Sequence, residues 1–194
     1  MPGRGLEKIM QGLTFRCKPV AAAALSEASP HRSWRTGVRM PELVIGHGAW
    51  VSRAAPPAGL LFVREDGRLD PAEFIAVVRR SGLNRPVDDA ARMATILAHS
   101  NLVVTARLAD QSRRLVGIAR SVTDFAYSCY LADLCVERER QRQGIGRALI
   151  AETKRIVGPG TMLLLLSAPA AMAYYPRIGM EAVQNGFTIR RDPT

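Results

Sequence analysis

A mixed α/β domain, in which one parallel crossover follows an antiparallel meander, is the fold class this sequence predicts, and three observations predict it. Residues 131–166 read as strand, glycine loop, helix and strand: Leu134, Cys135 and Val136, then Gly144 and Gly146, then Ile145, Leu149, Thr153 and Ile156 at helical spacing, then an apolar run at 161–166. An uninterrupted apolar run of that length is what a parallel strand covered on both faces shows. Residues 58–131 read as a strand, two capped helices and further short strands, and 194 residues with 47% apolar content suffice for one core.

The elements follow in order. Residues 59–64 form a strand that turns at Glu65-Asp66-Gly67. Asp70-Pro71 opens a helix with proline at its first helical position; Phe74, Val77 and Val78 are its apolar face, and Ser81-Gly82 its end. Asp88-Asp89 opens a second helix through Met93, Ile96 and Leu97, closed by His99-Ser100-Asn101. Strands are expected at 102–106 and 115–119, continuing past Asp124-Phe125 into 127–131 and the glycine-loop strand. After the crossover, Ser167-Ala168-Pro169 begins a short helix at 170–177, Gly179 stops it, and 180–183 with 186–190 are expected as a final pair of strands. The expected sheet has six to seven strands, mostly antiparallel, flanked by about four helices.

Residues 1–57 differ from the rest. Eight basic side chains against three acidic ones give +5, half of the net +10, and Gly, Pro, Ser and Ala interrupt every apolar run. They are expected to be a disordered basic extension or the product of a start assigned too far upstream, with Met40 an internal alternative and 42–51 able to add a strand. Residues 58–194 are then the domain. Arginine outnumbers lysine 24 to 3 but is dispersed along the chain, with no zinc-finger, homeodomain or RNA-recognition signature, so no specific nucleic-acid partner is expected. No apolar run, 162–166 included, is long enough to span a membrane. Cys17, Cys129 and Cys135 lack metal-ligand spacing and read as reduced thiols of a cytoplasmic protein with no metal.

The glycine loop carries the chemistry. A strand that empties through glycines into a helix leaves backbone N–H groups unpaired at the helix start, and the helix dipole makes that end an anion site. Arg138, Arg140, Arg142 and Arg147 surround it, with Lys154 and Arg155 two turns on. A P-loop needs Lys and Ser or Thr after its last glycine, where Arg147 and Ala148 stand. A dinucleotide fingerprint needs a third glycine, where Leu149 stands. The remaining pattern, Gln/Arg-x-x-Gly-x-Gly/Ala, is met at every position by Gln141-Arg142-Gln143-Gly144-Ile145-Gly146, although six residues alone are a common match.

A second segment makes the resemblance specific. Ala170-Ala171-Met172-Ala173-Tyr174-Tyr175-Pro176-Arg177-Ile178-Gly179-Met180 is similar to the other hallmark of the GNAT superfamily of N-acetyltransferases: a small-residue helix, an aromatic-Tyr pair, then an aliphatic residue, Gly and an apolar residue. Both hallmarks stand in the family's order, and the resemblance covers about residues 58–194. It implies the GNAT fold, with a V-shaped opening at the acetyl-CoA site. It implies that the pantetheine arm lies along Leu134, Cys135 and Val136, and the pyrophosphate on Gln141, Arg142, Gln143, Gly144, Ile145, Gly146 and Arg147. Tyr175 is implied as the acid that protonates the thiolate leaving group, with Tyr174 packing in the core. Asp133, and more weakly Glu137, are candidates for the base that takes the amine proton. Two positions depart from the pattern: Ala168 replaces an Asn that contacts the cofactor in many members, and Pro176 directly follows Tyr175.

The function implied is acetyl-CoA-dependent N-acetyltransfer, direct and without an acyl-enzyme, to a primary amine of a small molecule or protein. A non-catalytic acyl-CoA sensor that keeps the cofactor site is the alternative. Exposed sheet edges leave a homodimer open.

Overall fold

The computed structural model describes residues 57–65 and 69–192. The strand expected within 42–51, and the rest of the basic extension up to residue 56, lie outside the described residues. Among the described residues one sheet holds β1 (Leu60–Arg64), β2 (Leu102–Leu108), β3 (Leu115–Thr123), β4 (Ser128–Val136) and β5 (Met162–Leu164), in that spatial order. Every neighbouring pair is antiparallel except β4–β5, which is parallel. The helices are α1 (Pro71–Ser81), α2 (Ala90–Ala98), α3 (Ile145–Val157) and α4 (Tyr174–Arg177).

The helices form where capping and apolar spacing coincide. Asp70 accepts the backbone N–H of Ala72 at 2.8 Å and Asp89 that of Arg92 at 2.9 Å, satisfying donors that the first turns of α1 and α2 leave free. Phe74, Val77 and Val78 of α1 and Met93 of α2 then pack on Val103, Leu115, Ile118 and Cys135. On the opposite sheet face Ile145, Leu149, Ile150 and Val157 of α3 pack on Val104, Val116, Ala119 and Leu131. The sheet is thus a central layer with helices on both faces.

The two strands expected at 127–131 and 133–136 are one strand, β4, broken only in register. Arg120 lies opposite Asp133 while Ser121 lies opposite Leu131, so Ala132 is an extra residue, a β-bulge. Before the bulge, Cys129 and Leu131 face the α3 core; after it, Cys135 faces the α1–α2 core. Asp133 goes the same way and is fully buried. Its Oδ1 accepts from Arg85 Nε and its Oδ2 from Arg120 Nε, each at 2.5 Å. Arg85, from the α1–α2 loop, also donates Nη2 to the carbonyl of Ala132 at 2.9 Å, and Arg120 donates Nη1 to Ser100 Oγ at 2.8 Å. The bulge is therefore fixed by two guanidinium groups on one carboxylate, Arg120 from the neighbouring strand and Arg85 from outside the sheet.

Beyond the bulge β4 loses its parallel partner. Only Ser128, Cys129 and Tyr130 pair with β5, so along residues 131–136 that edge faces no strand. This is the opening expected between the two strands.

Three expectations are corrected. Residues 180–183 and 186–190 form no strands, because a strand needs an edge to pair with and these residues run exposed past a three-residue β5. The helix expected at 170–177 is a 3-10 turn, Pro169–Ala171, followed by the four-residue α4, since Pro176 has no backbone N–H with which to extend a longer helix. The run 161–166 is not covered on both faces: Met162 is 52% exposed.

Replacing Asp133 by Ala leaves Arg85 and Arg120 without their shared carboxylate. A loss of about 3 kcal/mol is expected, the low end for a broken buried pair because Arg85 retains some solvent contact, and the melting temperature falls by about 10 °C. Asp88→Ala, which breaks the exposed pair with Arg79, is the control and should change the melt by ~2 °C or less.

Candidate active site

The glycine loop sits where β4 ends and α3 begins. Gly144 is the N-cap of α3 at φ 82°, a left-handed conformation that costs a glycine little, and no side chain caps the helix start. The first N–H groups of α3 thus have no side-chain cap, at the end of the helix where its dipole is positive. Arg142, two residues earlier, holds φ 63°, a local strain of about 1–3 kcal/mol of the kind that clusters at ligand sites. Arg147, in the first turn of α3, has its Nε buried without a hydrogen-bond partner.

The loop is tied to α1. Gln141 Nε2 donates to the carbonyls of Ser81 at 3.3 Å and Val136 at 3.0 Å, and the Arg138 guanidinium lies against Gly82, where a Cβ would come within 2.6 Å of Nη2. Gln141, expected to touch the cofactor, spends its amide on this tie. Gln143 donates Nε2 to the carbonyl of Glu139 at 3.2 Å, within the loop. Neither of the two cations further along α3 serves the mouth. Lys154 Nζ donates to the carbonyls of Gly158, Pro159 and Thr161 at the far end of the helix, and Arg155 pairs with Glu152.

The aromatic pair meets the loop through Tyr174. A Cβ on Gly146 would lie 3.0 Å from Tyr174 Oη, so the absence of a side chain at Gly146 leaves room for that phenol against the start of α3. Tyr175 stacks edge-on to Tyr174, with ring centroids 5.3 Å apart. Burial pushes both phenols above their ordinary value; for Tyr174 the neighbouring Tyr175 raises it further and Arg147 lowers it. The structure therefore brings Gly144, Gly146, Arg147 and Tyr174 together. The sequence placed Tyr175 at the leaving thiolate and Tyr174 in the core, and gave the loop contact to neither ring. Spacing alone does not reveal which of two adjacent tyrosines in a four-residue helix turns toward the loop.

Along β4, Leu134 is half-buried toward α3, Val136 is nearly buried and Cys135 is buried under α1. Burial pushes the Cys135 thiol up to about 12, which removes it as a nucleophile. Glu137 is buried between Arg80, at 2.5 Å, and Arg114. Asp133 is held by two guanidiniums, as described. Both carboxylates are buried and each is engaged by two guanidiniums, on Oε1 alone in Glu137 and on both oxygens in Asp133. Among the described residues no group of three or more His, Cys, Asp and Glu could hold a metal ion, and no helix is long and apolar enough to cross a membrane.

Taken together, the fold is a three-layer α/β domain in which an unpaired strand edge leads to an uncapped helix start. Comparison with known proteins points the same way. Residues 99–181 match the family model of the acetyltransferase (GNAT) domain. It is 30% identical over 79 residues to "GCN5-related N-acetyltransferase 2, chloroplastic" of Arabidopsis thaliana, a match covering 40% of this chain and 31% of that protein. It is 29% identical over 79 residues to "Histone acetyltransferase TAP1" of Glycine max, covering 40% and 34%. The chain thus spans about a third of the length of these curated relatives. Among solved structures, a GNAT-family acetyltransferase of Streptococcus pneumoniae TIGR4 superposes with a TM-score of 0.54 at 21% identity, covering 69% of this chain and 99% of that one. An aminoglycoside acetyltransferase from an uncultured soil metagenomic sample superposes with a TM-score of 0.53 at 22% identity, covering 70% and 97%.

The buried thiols carry a prediction. Iodoacetamide at pH 8 should leave Cys129 and Cys135 unlabelled in the native protein and label both in denaturant, as read by peptide mass spectrometry. Because the folded thiol of Cys135 titrates higher than its ordinary value of 9.0, its contribution to stability is complete below pH 9 and is lost as the pH rises toward about 12.

Proposed function

We propose that this chain is an acetyl-CoA-dependent N-acetyltransferase that passes the acetyl group directly to a primary amine. The observation that carries this reading is the continuity of the unpaired β4 edge with the uncapped start of α3, where Arg147 Nε is buried and unsatisfied. Those features fit the two ends of acetyl-CoA. Backbone groups of Leu134, Cys135 and Val136 would hold the amides of the pantetheine arm, and the N–H groups of Ile145, Gly146 and Arg147 the pyrophosphate. Acetyl-CoA supplies an acetyl group already activated as a thioester.

The protein's own part is to orient and to move one proton. In this reading Tyr175 Oη donates the proton that the leaving thiolate takes up, as its place in the second hallmark suggests, and Tyr174 closes the loop at Gly146. A phenol raised by burial stays protonated through the physiological range, which suits an acid and not a base. Asp133 belongs to the scaffold, and the proton from the amine leaves to solvent. An intracellular, reducing setting accords with the free, buried Cys129 and Cys135.

Two relatives bear the names of histone and aminoglycoside acetyltransferases, and those acceptors belong to those proteins. For this chain the reading is an amine acceptor without further assignment at this point.

Acetyl-CoA and free CoA, at about a hundred times the dissociation constant, should each raise the melting temperature by about 6–8 °C, while NAD should not. Tyr175→Phe should keep that shift and lower kcat by about 10²-fold; Tyr174→Phe should weaken the shift and change kcat less. The wild-type rate should rise through neutral pH as the amine loses its proton and fall only above the ordinary phenol value of about 10. A normal shift with no turnover of any amine would instead favour the sensor.

A further inference from the structure

The bulge in β4 decides which backbone groups line the opening. Glu137 N–H donates to the carbonyl of Val116 on β3 at 2.9 Å, and residues 133–136 hold one register against 117–120 without a break. Strand alternation therefore turns the backbone groups of Asp133 and Cys135 toward β3 as well, and those of Leu134 and Val136 away from it. All described peptides are trans, and in a trans peptide the carbonyl of one residue points opposite to the N–H of the next. The carbonyl of Ala132, which precedes the N–H of Asp133, thus also turns away from β3. In order along the opening stand Ala132 C=O, Leu134 N–H, Leu134 C=O, Val136 N–H and Val136 C=O.

The two end carbonyls are covered by side chains. Arg85 Nη2 donates to Ala132 at 2.9 Å and Gln141 Nε2 to Val136 at 3.0 Å, and the groups between them face no strand. Arg85 also donates Nε to Asp133 at 2.5 Å and Nη1 to the carbonyl of Asn84 at 2.7 Å, so each of its nitrogens is engaged and the guanidinium is held in one place. Asp133 has a second guanidinium in Arg120, whereas the carbonyl of Ala132 has Arg85 alone. Covering that carbonyl is therefore the part that no other side chain shares.

Resting on the acetyltransferase reading above, we infer that Arg85 is a positioning residue for the acyl donor: by covering the carbonyl of Ala132 it fixes the register in which the pantetheine arm pairs with β4, and with it the place of the thioester carbonyl. A donor held by its pyrophosphate at the start of α3 runs back along β4 from Val136 toward Ala132, so its acyl end lies at the Arg85 end. The anion site anchors only the other end of a long flexible arm. An edge of period two offers an extended ligand alternative pairings two residues, about 7 Å, apart. With Ala132 uncovered, the arm's last amide N–H has two acceptors, the carbonyls of Leu134 and Ala132. With Arg85 in place it has one.

The test uses the full chain, its Arg85→Ala variant, and acetyl-CoA labelled with carbon-13 at the acetyl carbonyl. The wild type should give one bound carbonyl resonance. Arg85→Ala should bind CoA in calorimetric titration with a dissociation constant within about threefold of the wild type. It should nevertheless show a second bound resonance, or a single one displaced from the wild-type position. A single resonance at the wild-type position would overturn the inference, and so would loss of CoA binding by the variant, since Arg85 would then support the site as a whole and not its register. Amide hydrogen exchange in the free wild type checks the edge by itself. Leu134 and Val136 should exchange about tenfold or more faster than Cys135 and Glu137, and equal rates would overturn the assignment of groups to the opening. A wild type that binds no CoA counts instead against the acetyltransferase reading, and the exchange rates still decide which groups face the opening.

Discussion

The carboxylate of Asp133, gripped by Arg85 from the α1–α2 loop and by Arg120 from β3, is the interaction on which the rest of the site depends. A backbone edge can pair with a neighbouring strand or with a ligand, but not with both. β4 pairs with β5 over three residues, and beyond the register break at Ala132 its edge is left without a strand. A bulge is a weak point in a ladder unless something outside the sheet satisfies it. Here Arg85 takes the carbonyl of Ala132 and the side chain of the next residue together, so the break is held as firmly as the pairing it interrupts.

That arrangement joins the two halves of the molecule that flank the opening. Arg85 belongs to the connection between α1 and α2, and Gln141 and Arg138 run from the glycine loop to the C-terminus of α1. The α1–α2 connection and the glycine loop are consequently anchored to one another through α1. A displacement of α1 would be felt at both places, although they lie on different elements of the sequence.

Much of this was legible in the sequence, and the exceptions have physical causes. Local chemistry fixed α1, α2 and α3, because Asp70 and Asp89 cap their helices and the apolar residues recur at helical spacing. The two hallmark segments indicated the family and the loop. The bulge at Ala132 was not legible, since an extra residue in a strand leaves no mark in composition; it shows only once Arg120 is seen opposite Asp133. For the same reason Asp133 read as a free carboxylate, although its partners lie 13 and 48 residues away. The segment 180–190 has the alternation of a strand, but alternation describes which faces would be buried and not whether an edge is available. Phe187 and Ile189 are fully exposed as a result.

The preference for arginine has a chemical consequence for a domain that would hold a thioester. Arginine stays protonated at any pH the protein meets, and a guanidinium is no nucleophile toward an acyl donor. Lysine is one whenever it loses its proton. Among the described residues Lys154 is the sole lysine, and its ammonium is held in a clasp of three backbone carbonyls at the end of α3 remote from the glycine loop. This part of the molecule surrounds its anion site with positive charge that cannot itself be acylated. Its electrostatics would therefore survive long exposure to its own reagent, where a lysine-rich surface would be neutralised residue by residue.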